Sequence, residues 1–265
     1  HMNLAIVGGG VMGEAILAAA LEGGLLKADE VVVAEVVELR RAALHRQYGI
    51  AVTADAADAV RDADTVLLSV KPQDLHSVRS AVSEDALLVS IMAGVRVATI
   101  VEAFQHDRVV RVMPNTPVAA RAGMSVWTAT VTVDHEQREA VRALLSSFGR
   151  ELFVDDEKKI DMATAVSGSG PAYVFYVAEA MIEAGVFLGM PRATATELVV
   201  QTLYGSATML RETGEHPSVL RENVTSPGGT TVAALRTLDD HKVRAAFISA
   251  LEAARDRSHE LASGS

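Results

Sequence analysis

The chain has 265 residues, enough for one large domain or two modest ones with proper cores, and 49% of them are hydrophobic while only 4% are aromatic. A formal net charge of −10, with arginines interspersed among acids, excludes a basic face for nucleic acid, and the lack of cysteine excludes disulfides and thiolate metal sites. The eight histidines form no HxH or HxxxH pair, so no metal site is expected; no apolar run reaches bilayer length, so a soluble, cytoplasmic protein without membrane contact is expected.

The first apolar run, Leu4 to Val7, enters Gly8-Gly9-Gly10-Val11-Met12-Gly13 and then a helix of small residues, Ala15 and Ala18 to Ala20. This is GxGxxG in its proper setting. Gly8 makes the tight turn, Gly10 lets a pyrophosphate approach the helix start, and Gly13 allows close packing of helix on strand, with Val11 and Met12 assigned to the same dinucleotide contact. The rival reading, a glycine turn serving packing alone, is weakened by Glu35, which follows the second strand, Val31 to Ala34, about 22 residues beyond the motif. Glu35 is placed to accept hydrogen bonds from ribose hydroxyls, which suggests NAD(H). Arg40 and Arg41, on the predicted helix Val37 to Tyr48, are either solvated or turned toward the 2′-phosphate of NADP, so both cofactors stay open.

Further strands are predicted over Thr65 to Val70, Leu87 to Ile91, Val109 to Met113 and Ser125 to Thr130, with a crossover helix over Asp134 to Ser147. Open parallel sheets bind ligands at strand carboxyl ends, so Val70, Lys71 and Pro72, then Ala93 and Gly94, then Asn115 are candidate cofactor contacts, against the plainer reading of sharp turns and a solvated lysine. The alternation implies a doubly wound, mostly parallel Rossmann-like sheet over residues 1–156. Asp155-Asp156-Glu157 is expected to favour the first turn of the helix that follows.

Residues 157–265 read as an all-α domain, broken at Ser167 to Pro171, Gly189 to Pro191, Gly214 to Pro217, Ser226 to Gly229 and Asp239-Asp240. Its helices are apolar nearly all round at Tyr173 to Ala178, Ile182 to Leu188 and Leu198 to Tyr204, which predicts a subunit interface. Within it, Thr225-Ser226-Pro227-Gly228-Gly229-Thr230-Thr231 sets two glycines and four hydroxyls ahead of a helical run. Helix-opening N–H groups lack intrahelical partners, so Ser226, Gly228, Gly229, Thr230 and Thr231 are candidates for holding a small carboxylate; the plainer reading is a helix cap.

Together, Val166-Ser167-Gly168-Ser169-Gly170-Pro171-Ala172-Tyr173, the spaced pattern from Pro217 to Asp239, the glycine loop, Val70-Lys71-Pro72 and Arg111 to Pro117 resemble pyrroline-5-carboxylate reductase over the whole chain. The resemblance implies reduction of the cyclic imine 1-pyrroline-5-carboxylate to L-proline by NADPH or NADH. It further implies an N-terminal Rossmann domain and an interleaved homodimer, built in many members into a larger ring such as a decamer, with the loop Ser226 to Thr231 supplied by the partner subunit. The Thr231 hydroxyl is then the catalytic candidate, facing the imine nitrogen. Two departures stand out: Glu35 is followed by Val36 and Val37 where many members carry Ser or Asn and then Arg, and Ala119 to Gly123 keeps only the last of a glycine-rich run. Two rivals remain at this point: a reductase of another cyclic imine or of a hydroxy acid, and a non-catalytic dinucleotide-binding scaffold. Pro171 to Val177 contains no lysine, the group a hydroxy-acid enzyme would need against a developing alkoxide.

Overall fold

A computed structural model describes residues 2–70 and 78–264. By compactness the chain divides into one unit of residues 1–169 with 254–265 and another of 170–253, later in the chain than the boundary at 156/157 expected from the sequence.

The first unit is built on eight strands: β1 (Leu4–Val7), β2 (Val31–Ala34), β3 (Ala51–Thr53), β4 (Thr65–Leu68), β5 (Leu87–Ser90), β6 (Val109–Met113), β7 (Gly123–Ala129) and β8 (Gly149–Phe153). They lie in the order β3-β2-β1-β4-β5-β6-β7-β8, parallel throughout except where β7 runs antiparallel to β6. The reversal follows from chain length. Only residues 114–122 join β6 to β7, a short 3-10 turn at Thr116–Ala120, and a parallel crossover needs a dozen residues or more. Helix α5 (His135–Ser146), opened by a reciprocal cap between Asp134 and Gln137, then supplies the crossover that returns β8 parallel to β7.

Alternation along the buried strands feeds two cores. Leu4 and Ile6 face one side with Ile16 and Leu17 of α1 (Val11–Glu22), Leu44 of α2 (Glu38–Tyr48) and Val141, Leu144 and Leu145 of α5. Ala5 and Val7 face the other, with Ala59 and Val60 of α3 (Ala56–Val60) and Ile100 and Phe104 of α4 (Val97–Phe104). Strands β3 and β8 were not foreseen. β3 is three residues long, and β8 is a half-exposed edge reading Gly-Arg-Glu-Leu-Phe, without the apolar run that marks a buried strand.

The expected loop at Ser167 to Pro171 is instead helical. After α6 (Lys158–Ala163) the backbone widens into a π-helical turn at Thr164–Gly168, closed by the Ser169 N–H on the Thr164 carbonyl, and α7 (Gly170–Phe187) follows directly. Pro171 falls in the first turn of α7, where its missing N–H costs nothing. Glu157 also departs from expectation. Its carboxylate accepts the Val97 N–H that opens α4 (3.0 and 3.2 Å) and lies 3.6 Å from the buried Arg111 guanidinium. Burial pushes Arg111 below its ordinary value, against the pull of Glu157 and then Asp161.

The second unit holds α7, α8 (Arg192–Thr213), α9 (Pro217–Asn223), α10 (Thr230–Asp240) and the start of α11 (Val243–Ser263). Helices α7 and α8 meet closely: a Cβ on Gly185 would sit 2.9 Å from the Ala195 Cβ. The break expected at Asp239-Asp240 lies just beyond it, at His241 and the left-handed Lys242. The last turns of α11 belong to the first unit, where Ser258 donates to the buried Asp161 (2.9 Å).

Candidate functional site

The glycine loop sits where the strand order reverses, at the carboxyl ends of β1 and β4, the crevice that open α/β sheets use for ligands. The Gly8 N–H is held by the Ala34 carbonyl (2.9 Å), and Gly8 has a φ of +104° that a side chain would strain. A Cβ there would also lie 2.5 Å from a methyl of Val70. At Gly13 a Cβ would come within 2.6 Å of the Gly8 carbonyl oxygen, so the helix lies as close to the strand as the motif requires. Gly10 differs: a Cβ on it would meet nothing within 4 Å, and as the cap of α1 it brings no side-chain hydrogen bond to the helix-opening N–H groups. That cradle fits a pyrophosphate. Val11 is exposed and Met12 half-buried beside it.

Ser69 is a residue that sequence reasoning passed over. Its hydroxyl lies 2.9 Å from the Val7 carbonyl and 2.7 Å from that of Gly8, pinning the glycine loop to the end of β4. Nothing in the sequence flags it, since the contact exists only once β1 and β4 pair. Glu35 is half-buried at the end of β2, its carboxylate accepting the Val36 N–H at 2.9 Å, and its own N–H is held by Thr53 of β3. Lys71 and Pro72 lie outside the described residues.

Along the same edge, Ala93 is exposed after β5, and Gly94 has a φ of +72°. Asn115 follows β6, with both ends of its side chain engaged inside the protein: Nδ2 donates to the Ser167 carbonyl of the π turn (3.1 Å) and Oδ1 accepts the Met124 N–H (2.8 Å). A cofactor contact from Asn115 would therefore fall first to its backbone.

In the second unit the Ser226-Pro227-Gly228-Gly229 segment forms a turn closed by the Gly229 N–H on the Ser226 carbonyl (3.1 Å), with Gly228 at φ +70°. Proline second and a left-handed glycine third are the signature of a type II turn. Gly229 is then the cap of α10, with no side chain capping the helix. The assignment of the Gly229 N–H to a carboxylate meets this turn: the N–H already has an acceptor. What Gly229 offers an acid is the lack of a side chain, while the N–H groups of exposed Thr230 and half-buried Thr231 open the helix. Among the described residues no cluster of three or more His, Asp or Glu could hold a metal, and no helix is long and apolar enough to cross a membrane.

A glycine loop at the switch point of this sheet, followed by a helical unit with an open, hydroxyl-rich helix start, is the arrangement of a two-domain dinucleotide-binding protein. Comparison with known proteins narrows the class. Residues 157–261 match the family model for pyrroline-5-carboxylate reductase dimerisation, and residues 3–94 match that for NADP oxidoreductase, coenzyme F420-dependent. A pyrroline-5-carboxylate reductase of Corynebacterium melassecola is 44% identical, the alignment covering 98% of each chain. Among solved structures, the enzyme from Coxiella burnetii superposes with a TM-score of 0.90 at 34% identity, covering 98% of both chains. The Plasmodium falciparum enzyme with NADP bound gives 0.90 at 27% identity, covering 99% of this chain and 98% of that one. The chain belongs to the pyrroline-5-carboxylate reductase family, and residues 157–261 are its dimerisation domain.

Proposed function

We propose that the chain reduces 1-pyrroline-5-carboxylate to L-proline, the last step of proline synthesis, with NADH or NADPH as reductant. The observation that carries this reading is the end-to-end 44% identity to a reductase of that substrate. The loop that could hold the substrate's acid is present in this chain's own residues. When bound, the reduced dinucleotide supplies hydride. The rest falls to the protein.

Gly8, Gly10 and Gly13, with Val11, Met12, Glu35, Val70, Lys71 and Pro72, bind and orient the dinucleotide, and Ala93, Gly94 and Asn115 wall the side where its ring lies. The N–H groups of Thr230 and Thr231, at the positive end of the α10 dipole, hold the substrate carboxylate, approached across the bare Gly228 and Gly229. Ser226 shapes the turn. The Thr231 hydroxyl hydrogen-bonds the ring nitrogen, orienting the imine and relaying a proton. An imine needs little more, because hydride addition to a protonated imine discharges a positive charge where reduction of a ketone creates a negative one; positioning supplies most of the acceleration. Two chains form the functional unit, each lending its loop to the partner's nucleotide half, and the dimers build a larger ring such as a decamer.

Comparing 1-pyrroline-5-carboxylate with unsubstituted 1-pyrroline in a nicotinamide-absorbance assay tests the carboxylate loop. Loss of the acid is expected to lower kcat/KM by about 100-fold or more, since a hydrogen-bonded charge contributes roughly 3 kcal/mol. Equal efficiency on both would remove the loop from substrate recognition.

A further inference from the structure

The corner between β2 and α2, where the adenosine ribose of a dinucleotide belongs, contains two arginines, and both are already engaged. Arg40 reaches back across the glycine loop: its Nε donates to the Gly9 carbonyl (2.6 Å) and its Nη2 to a carboxylate oxygen of Glu14 (2.5 Å). Glu14 is the residue directly after Gly13, on α1. Its other oxygen accepts the Tyr48 hydroxyl (3.0 Å), so the two ends of α2 grip one carboxylate. Burial, and next the hydrogen bond to Glu14, push the Tyr48 phenol up to about 12, so it stays a donor over the working pH range. Arg41 Nη1 donates to the carbonyls of Glu35 (2.7 Å) and Val36 (2.9 Å). Val36, Val37 and Leu39 are exposed on the rim, with exposed Glu38 between them.

A 2′-phosphate brings close to two negative charges and is best met by a guanidinium whose fork is not shared with another anion. Here Arg40 carries its own counter-charge. The Arg40–Glu14 side chains are only 31% and 24% exposed, so their pair is less screened than a surface ion pair, and a phosphate would have to compete with Glu14 for the charge of the arginine. Glu35 adds a further negative charge at the end of β2. A ribose carrying a free 2′-hydroxyl meets none of these obstacles and offers Glu35 a donor.

We infer that the chain is selective for NADH over NADPH, and that Glu14 is a specificity-determining positioning residue that withholds Arg40 from the 2′-phosphate. The inference rests on the dinucleotide-reductase reading above. It separates from that reading in one experiment, calorimetric titration of the full-length protein with NADH and with NADPH, no imine present. The wild-type chain is expected to bind NADH about tenfold or more tightly than NADPH, as like-charge juxtaposition costs on the order of 1.4 kcal/mol or more. In Glu14→Gln the ratio of the two dissociation constants should shift toward NADPH by about tenfold, and adding Arg40→Ala to that variant should abolish the shift, a result that a merely structural Glu14 would not give. Glu35→Ser, which leaves the Arg40 latch in place, should shift the ratio in the same direction.

Wild-type binding of NADPH as tight as that of NADH overturns the inference while leaving the reductase reading standing. A ratio that moves in Glu35→Ser but not in a folded Glu14→Gln overturns the role of Glu14. Failure of both dinucleotides to bind overturns the reductase reading and the selectivity together.

Discussion

Thr231 is the side chain on which the proposed chemistry turns, because it alone is asked to touch the reacting nitrogen. Replacing it with valine keeps the shape and removes one buried hydrogen bond, a loss on the order of 1 to 3 kcal/mol. Thr231→Val is therefore expected to lower kcat by about 10- to 100-fold with little change in cofactor affinity, measured by steady-state kinetics and cofactor titration. Unchanged kinetics would take Thr231 out of the mechanism. At this scale local spacing made backbone geometry legible: the positive φ of Gly8 in its tight turn and the close approach of helix to strand at Gly13 both follow from the glycine pattern. Ser69 and Glu14 could not be read that way. Ser69 meets Gly8 across 61 residues, and Glu14 meets Arg40 across 26, so both contacts come into being only when the sheet assembles.

Helices and strands obey the same division between local signal and tertiary context. The long apolar runs gave β1, β2, β4, β5 and β6 within a residue or two of their observed ends, whereas the half-exposed edges β3 and β8 carry no such run. The antiparallel turn of β7 was legible in principle from the short 114–122 link but needed its sheet position to be decisive. The acidic triplet shows what local reading misses. Glu157 precedes α6, yet its carboxylate caps α4 and faces Arg111 of β6, so it joins three elements. Removing it leaves a buried guanidinium without its nearest counter-charge and a helix start without its acceptor. Glu157→Ala is expected to cost about 3 kcal/mol of stability, read as a lower denaturation midpoint at constant m-value. A change below about 0.5 kcal/mol would show that water or Asp161 replaces the carboxylate.

Taken as a whole, the molecule presents a helical unit that is too apolar to stand alone. No residue of α7 is buried, and Phe175, Tyr176, Phe187, Leu188 and Tyr204 are all exposed, Phe187 at 90%. Such a surface in a domain that matches a dimerisation family needs a second copy to cover it. Light scattering at micromolar concentration is expected to give at least twice the chain mass, and a monomer mass would contradict this. The proposed lending of loops between partners has a sharper consequence. Mixing a Gly13→Val chain, dead at the nucleotide, with a Thr231→Val chain should restore about a quarter of wild-type activity, because half of the randomly paired dimers then own one intact site. No recovery after confirmed exchange would place both halves of each site on one chain. The apolar helices were visible in the sequence from their lack of a polar face. Which faces meet is not written there, since pairing depends on the complementarity of two folded surfaces.

The central claim is a reaction, and it is tested most directly by its product. The purified protein is incubated with 1-pyrroline-5-carboxylate and reduced nicotinamide cofactor, and the mixture is resolved by chiral chromatography. One L-proline formed for each cofactor oxidised is the predicted result. Cofactor that binds but stays reduced, with the imine recovered unchanged, would contradict the account.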